Sequence, residues 1–191
     1  MQNVPKESVA YSGKIGEVIH TQFPDGRIFE RYRRAPGTRL IIVSNDNKIL
    51  VTKEFRHEND SYDFRLPGGK VRDTLNEYRD LLSSKESLEN AAREAAKKEA
   101  REETGLIVND LELLTISRAG ATVEWDLYYF LVKDYSDNDG QHLEHGEDIQ
   151  ITWLSMTELT DLILRGGMSE WRSVGVLLGL VFPILGSKSV H

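Results

Sequence analysis

The chain has 191 residues, no cysteine and a formal net charge of −7 at neutral pH. The absence of cysteine excludes a disulfide framework, a cysteine-based zinc ribbon and a cysteine nucleophile, and it is compatible with a cytoplasmic location. An acidic protein has no general attraction for nucleic acid or for anionic membranes, so we expect neither as a partner. The longest apolar run, residues 174–185, is too short to cross a bilayer.

The N-terminal segment predicts a small β-subdomain. Residues 14–23 and 27–34 alternate apolar and polar side chains, which is typical of strands with one buried face. A Pro-Asp-Gly turn at residues 24–26 lies between the two runs, so together they predict a hairpin. We therefore expect a β-subdomain over residues 1–37 and a main domain over residues 38–191.

Three further apolar runs predict strands at the start of the main domain. Residues 39–44 and 49–55 flank a polar turn and are expected to pair with each other. Residues 62–66 form a short extended run, which ends at the Pro-Gly-Gly sequence of residues 67–69.

The middle of the chain predicts two helices. Residues 74–77 and 83–86 each have the Ser/Thr-x-x-Glu pattern of a capping box, which marks the start of a helix. Residues 85–104 are rich in alanine and in charged helix-forming residues, and Gly105 is a good residue to end that helix.

The last third of the chain predicts further strands and helices. Strands are expected at 106–117, 123–132 and 149–154, a polar loop at 134–148, and helices at 156–164 and 169–185. Strands on both sides of a long helix, followed by terminal helices, predict an α+β fold. Its mixed β-sheet would lie between helices, as an α/β/α sandwich.

Three glutamates near the end of the long helix, Glu99, Glu102 and Glu103, share one helical face. At about 100° per residue, the second and third lie within about 60° of the first around the helix axis. Glu99 and Glu103 repel each other, and a divalent cation would turn this repulsion into binding because Mg²⁺ prefers hard oxygen ligands. The alternative is a solvated acidic face balanced by neighbouring lysine and arginine side chains.

The residues around these glutamates resemble the Nudix box, the signature motif of the Nudix hydrolases. Gly69 resembles its opening glycine, and residues 98–106 (Lys-Glu-Ala-Arg-Glu-Glu-Thr-Gly-Leu) resemble its closing block. The resemblance implies a Mg²⁺ or Mn²⁺ site that polarises a pyrophosphate and activates a water, with Glu102 counted as catalytic as well. The metal ligands that it implies are Glu99, Glu102, Glu103 and the carbonyl of Gly68.

This sequence departs from the family pattern in three ways. About 15 residues are inserted, at about 72–87. Lys98 stands where the family has arginine, and Asn90 stands where the family has its first glutamate. Because those two family residues usually interact and brace the turn before the helix, their replacement predicts a rebuilt brace. The metal-binding glutamates are intact.

Further motifs resemble the ADP-ribose pyrophosphatase branch of the family. Residues 51–56, 66–69 and 117–124 follow the order of that branch's strand, turn and loop motifs. The branch often has a glutamate on a late loop as general base. This role falls on Glu147, with Glu144 as the competing choice.

The same resemblance implies three substrate-binding residues, Arg56, Arg118 and Glu124. Arginine suits bidentate contacts to phosphate, but a structural salt bridge is the alternative for Arg56 and for Arg118. For Glu124 the alternative is a role in capping a strand.

The resemblance implies metal-dependent hydrolysis of a nucleoside diphosphate derivative such as ADP-ribose or a nucleotide sugar. The products would be a nucleoside monophosphate and a sugar phosphate. Two alternatives remain open: a non-catalytic Nudix-fold module that binds a nucleotide and regulates a partner, and an enzyme acting on nucleoside triphosphates. Members of the branch usually dimerise through their N-terminal strands, and an isolated hairpin holds no core, so we expect a homodimer.

Overall fold

The computed structural model describes residues 4–57, 60–137, 140–143, 146 and 148–188. Within these ranges the strands are β1 (Lys6–Ser12), β2 (Gly16–Gln22), β3 (Ile28–Arg34), β4 (Gly37–Ile41), β5 (Ile49–Arg56), β6 (Ser61–Arg65), β7 (Leu106–Ser117), β8 (Val123–Glu124), β9 (Leu127–Asp137) and β10 (Ile149–Leu154). The helices are α1 (Leu75–Ser83), α2 (Leu88–Glu99), α3 (Met156–Leu164), α4 (Trp171–Val176) and α5 (Phe182–Lys188). π-Helical turns, Ala100–Thr104 and Leu177–Val181, extend α2 and α4.

Helices pack on both faces of the central sheet because its strands are apolar on both sides. β9 pairs in parallel with β4 and antiparallel with β7. Leu40 and Phe130 belong to the core formed with α1 and α2, while Ile41 and Tyr129 belong to the core formed with α3, α4 and α5. The predicted α+β fold, with a mixed sheet in an α/β/α sandwich, is confirmed.

The predicted pairing between residues 39–44 and 49–55 is confirmed only at the end next to their connecting turn. β5 pairs with β10 and β6 in a second sheet, whereas β4 pairs with β9. The two segments meet beside their connecting turn, at the bridge between Val43 and Ile49. Where the two segments are fully buried, at Leu40 and Ile41 of β4 and at residues 49–51 of β5, apolar side chains face both cores, so this part of the sequence does not specify the neighbouring strand.

A separate sheet forms at the N-terminus, in the order β1-β2-β3-β8. The predicted hairpin is confirmed, since β2 and β3 pair antiparallel. β1 was not predicted; all its residues are exposed, so burial did not select an apolar face in its sequence. β8 pairs in parallel with β3 and links this sheet to the main domain. The treatment of residues 1–37 as a separate unit stays a prediction.

The inserted segment forms helix α1, which joins the N-terminal sheet to α2. Its predicted capping box is present: the Thr74 side chain accepts from Glu77 N, and the Glu77 side chain accepts from Thr74 N. Buried apolar side chains of α1 and buried alanines of α2 belong to the same core. Arg79 of α1 donates to the buried carboxylate of Glu17, which also accepts from Arg33.

The long helix begins later than the predicted residue 85. The second capping box, predicted at 83–86, is wrong because Ser87 caps α2 by accepting a hydrogen bond from Asn90 N at 3.1 Å. Glu86 N donates instead to the hydroxyl of Ser84 at 3.1 Å, and the Ser83 hydroxyl donates to Arg79 O. The predicted end at Gly105 is confirmed, and its φ of 72° lies in the left-handed region that favours glycine.

The C-terminal elements match the prediction with small shifts. The helix predicted at 156–164 is confirmed as α3. The helix predicted at 169–185 is present as α4, its π-turn and α5, and it extends to Lys188. β9 continues to Asp137 instead of ending at 132. In the described part of the chain, no helix has the length and apolarity needed to cross a membrane.

Candidate active site

A cavity of about 700 Å³ is lined by the glycine turn after β6, by the acidic end of α2 and by the ends of several strands. This volume is typical of sites that bind small molecules. Its basic lining residues are Arg34, Arg39, Arg56, Arg65, Lys70, Arg72 and Lys98. Its acidic lining residues are Glu54, Asp73, Glu77, Glu94, Glu99, Glu102, Glu103 and Glu170.

The glycine turn is held in place by β4. Thr38 N donates to Gly69 O at 2.9 Å, and Leu40 N donates to Pro67 O at 2.8 Å. Gly68 has a φ of 142°, and a Cβ at this position would lie 2.2 Å from Thr38 O. Only glycine fits there, because the backbone of β4 passes too close for a side chain.

The acidic end of α2 contacts this turn directly. Gly68 N donates to Glu103 Oε2 at 2.8 Å. A Cβ added at Gly69 would lie 1.9 Å from Glu99 Oε1, so the carboxylate of Glu99 occupies the space that a side chain would need. The structure therefore brings together two segments that are separated by the insertion, and it places two of the predicted metal ligands against the glycine turn.

A π-helical turn, Ala100–Thr104, carries Glu102 and Glu103. The sequence prediction assumed regular α-helical spacing, whereas a π-turn is wider and changes where its side chains point. Glu102 pairs with Lys98 at 3.1 Å, and this hydrogen bond raises the pKa of Lys98. Such turns are frequent at functional sites.

The chemistry of these side chains fits a hard divalent cation, because carboxylate and carbonyl oxygens are the ligands that Mg²⁺ prefers. In the residues that the structure describes, no three Asp, Glu or His side chains are already gathered at metal-binding distance. Glu102 is held by Lys98, and Glu103 is held by Gly68 N. Binding of a cation would therefore exchange these contacts for metal–oxygen bonds.

Most basic side chains of the cavity are neutralised by a nearby carboxylate. The ion pairs are Arg39 with Glu170, Arg56 with Glu54, Arg65 with Asp63, Lys70 with Asp73, Arg72 with Glu86 and Lys98 with Glu102. In the most buried pair, two nitrogens of Arg39 donate to Glu170 at 2.8 Å each. Burial opposes ionisation of Glu170, but the hydrogen bonds and the charge of Arg39 outweigh it and lower the pKa of Glu170.

The sequence profile of the NUDIX domain matches residues 33–173, which is most of the chain. The chain belongs to the Nudix family. The predicted assignment as a Nudix pyrophosphohydrolase is thereby confirmed, and enzymes of this family generally use divalent metals.

Two solved structures are similar to this chain to different degrees. A crystal structure described as an ADP compounds hydrolase has a TM-score of 0.67 and 19% identity, over 97% of this chain and 96% of that chain. At this identity the likeness shows the fold. A MutT structure from work on Aliivibrio salmonicida and Vibrio cholerae has a TM-score of 0.46 and 21% identity, over 68% of this chain and 85% of that chain. No curated protein matches the sequence significantly.

The predicted substrate-binding residues of this Nudix chain lie in different places. Arg56 lines the cavity and pairs with Glu54 at 2.7 Å. Arg118 is exposed, and Glu124 accepts from Arg31 at 2.7 Å; neither lines the cavity as the described residues form it. The roles of all three in substrate binding stay predictions.

The predicted general base falls outside the described residues. Glu147 and its competitor Glu144 both lie there, so the choice between them stays a prediction. The metal roles of Glu99, Glu102, Glu103 and Gly68, and the catalytic role of Glu102, also stay predictions.

Sequence reasoning missed several residues of the cavity. Arg34, Arg39 and Glu170 line it, and none belongs to a recognisable motif. Glu170 lies 131 residues from the arginine that it binds, so no local pattern could have identified the pair. For Arg34 a weak signal exists, because it ends a predicted strand in a sequence with four arginines within residues 31–39.

Proposed function

We propose that this Nudix enzyme hydrolyses the pyrophosphate bond of a nucleoside diphosphate derivative, with Mg²⁺ as its metal. The proposal rests on the contact between the glycine turn and the acidic helix end, inside a cavity large enough for a nucleotide. The fold neighbour described as an ADP compounds hydrolase makes ADP-ribose the first substrate to test, and nucleotide sugars the second.

A bound divalent cation would polarise the pyrophosphate and lower the pKa of a water molecule. Glu99, Glu102 and Glu103 would hold that cation through hard oxygen donors. A basic side chain of the cavity that no carboxylate neutralises would offset part of the negative charge of the diphosphate. The oxygen of water then bonds to one phosphorus while the bridging P–O bond breaks, which releases a nucleoside monophosphate and a sugar phosphate. The base that accepts the proton of water stays a prediction at Glu147, or at Glu144.

A substrate panel tests this proposal. Purified chain with Mg²⁺ or Mn²⁺ should convert ADP-ribose into AMP and ribose 5-phosphate, which anion-exchange chromatography separates. Turnover of nucleoside triphosphates alone would favour the alternative triphosphate enzyme. Nucleotide binding without turnover of any substrate would favour the non-catalytic regulatory module, and either result would contradict the proposal.

The variant Glu103→Gln tests the acidic helix end. It keeps an oxygen that can accept from Gly68 N but removes the charge, and we expect at least about a 100-fold loss of turnover because metal catalysis contributes several kcal/mol. Glu112→Gln on β7 is the matched control, since Glu112 pairs with Lys133 away from the cavity. Equal turnover by Glu103→Gln and the unsubstituted chain would refute the predicted metal role of Glu103.

We also propose a homodimer formed through the N-terminal sheet. β1 is an edge strand, and Val9 and Tyr11 on it are exposed apolar side chains. Exposed edge strands readily pair with another chain. Light scattering should give twice the chain mass of 21.7 kDa, and Val9→Glu should shift the protein toward the monomer. A monomeric unsubstituted chain at micromolar concentration would contradict this.

Cytoplasmic location and the absence of nucleic-acid binding stay predictions.

A further inference from the structure

We propose that Arg34, stacked on Trp125, binds a phosphate group of the substrate. This inference rests on the proposed function, since it assigns a diphosphate to the same cavity. The residue lies at the end of β3 and lines the cavity, but it belongs to no motif that the sequence resemblance covers.

The first observation is how Arg34 is held. Its Cζ lies 4.7 Å from the centroid of the Trp125 ring, within the range of a cation–π contact. A second guanidinium, that of Arg172, lies 4.4 Å from the same ring and donates to Trp125 O at 2.8 Å. The ring is therefore fixed from α4, and the stacking orients the planar guanidinium of Arg34 without using its N–H groups.

The second observation is where this stack lies. A Cβ added at Gly37 would lie 3.8 Å from Trp125 Nε1 and 3.2 Å from Gly69 O. Gly69 in turn contacts the carboxylate of Glu99. Trp125 and the glycine turn therefore both border Gly37, and three successive contacts (Trp125 with Gly37, Gly37 with Gly69, Gly69 with Glu99) connect Trp125 to a predicted metal ligand. A diphosphate bound at those ligands could extend toward Arg34.

The third observation is that Arg34 lacks a charge partner. The other basic side chains of the cavity are ion-paired, whereas Arg34 pairs with no carboxylate in the part of the chain that the structure describes. Its Nε is buried and has no hydrogen-bond partner there. A buried donor without a partner is costly, and an oxygen of a ligand would remove that cost.

The chemistry of Arg34 points to phosphate as the ligand. Its guanidinium presents N–H groups in a planar fork that matches the spacing of phosphate oxygens. The whole chain is acidic, so an anionic substrate needs a cation in the cavity that no carboxylate has already neutralised. Arg34 meets both requirements, whereas Arg72, in the same cavity, pairs with Glu86 and donates to its own neighbour's carbonyl.

Isothermal titration of the full chain in EDTA tests the proposal without requiring turnover. The probes are methylenediphosphonate, which has no nucleobase, and ADP-ribose with a methylene group in place of the bridging oxygen. We expect Arg34→Met to weaken binding of both probes about 10- to 100-fold, the range for hydrogen bonds to charged groups. Arg72→Met removes the same charge from the same cavity and should change binding less than about twofold.

Three results would overturn the proposal: no binding of methylenediphosphonate by the unsubstituted chain, equal binding by Arg34→Met, or equal losses in Arg34→Met and Arg72→Met. Thermal unfolding shows whether the variants fold. If Arg34→Met does not fold, Arg34→Lys takes its place, because it keeps the charge but loses the planar fork; a loss of at least about threefold is then expected. Failure of the substrate panel alongside Arg34-dependent binding would reject the proposed hydrolysis but not this inference.

Discussion

The two halves of the cavity are built in different ways. The acidic half comes from two short segments, residues 68–69 and 99–103, whose contacts include the hydrogen bond from Gly68 N to Glu103 and the packing of Glu99 on Gly69. The basic half includes Arg34 and Arg39, which are held by residues far along the chain, such as Glu170. The candidate metal-binding residues therefore come from short sequence segments, whereas the ion pairs that balance the charge of the cavity depend on contacts across the whole fold. Substitutions in each half should separate these two kinds of dependence.

The largest effect on stability is expected in the basic half, at Glu170. Glu170→Gln leaves the buried guanidinium of Arg39 without its counter-charge, which should lower the free energy of unfolding by about 3–5 kcal/mol. Urea unfolding measures this change. Glu112→Gln removes a carboxylate from an exposed pair and should leave the unfolding curve unchanged within error. Similar curves for the two variants would show that the buried pair is not a structural requirement.

A smaller loss of stability is expected in the acidic half, at Gly68. Gly68→Ala places a Cβ 2.2 Å from Thr38 O at a φ of 142°, so strain and overpacking should together cost about 3 kcal/mol. Gly120→Ala is the matched control, because its φ is 132° and no atom lies within 4 Å of the added carbon. Strain alone should cost about 1 kcal/mol there. Equal costs would show that the glycine turn can move away from β4.

The contact between the inserted helix and the N-terminal sheet should depend on pH. Burial opposes ionisation of Glu17, but hydrogen bonds from Arg79 and Arg33 outweigh it and lower the pKa of Glu17. A lowered pKa stabilises the folded chain above the unfolded value of about 4.3, and this contribution declines as the pH falls below that value.

Arg79→Met tests that linkage. We expect it to lower the free energy of unfolding by about 1–2 kcal/mol at pH 7, because a hydrogen bond to a charged group is lost. The difference from the unsubstituted chain should shrink as the pH is lowered below the unfolded pKa of about 4.3, which urea unfolding at each pH can follow. A difference that does not change with pH would mean that Arg79 acts through packing alone.

The smallest effect is expected at Lys98, which faces the acidic half. Lys98→Met removes the cation that pairs with Glu102, so Mn²⁺ should bind about two- to fivefold tighter, the scale of an exposed ion pair. Lys97→Met removes the same charge one residue away, where the nearest carboxylate, Glu94, is 3.8 Å distant. Equal Mn²⁺ affinities in the two variants would mean that Lys98 acts only through its general charge.

Much of the fold could be predicted from sequence because its elements have local signals. The capping box at 74–77, the stop at Gly105 and the strand at 106–117 are patterns within a few residues, and each is present in the structure. Strand pairing was harder. The fully buried parts of β4 and β5 have apolar side chains on both faces, so they did not reveal that the two strands belong to different sheets.

The cavity residues also differ in whether a local sequence pattern identifies them. The acidic residues share one helix turn and a resemblance to a known motif, so the sequence was sufficient to single them out. The π-turn was not predicted, because it has the composition of an ordinary helix end. Arg39 with Glu170 and Arg34 with Trp125 are contacts between distant segments, and residue type alone does not identify such pairs.

The inserted helix α1 lies between the two parts of the Nudix box and lengthens the sequence that separates them. Closing a loop of twice the length costs only about 0.6 kcal/mol more, and α1 buries Leu75, Tyr78 and Leu81 as contacts of its own. β4 fixes the glycine turn before the insertion, and the packing of α2 fixes the acidic residues after it, so a longer connection leaves both ends in place. The contact between Gly68 and Glu103 is a contact in space, and a pattern written as a fixed count of residues does not describe it.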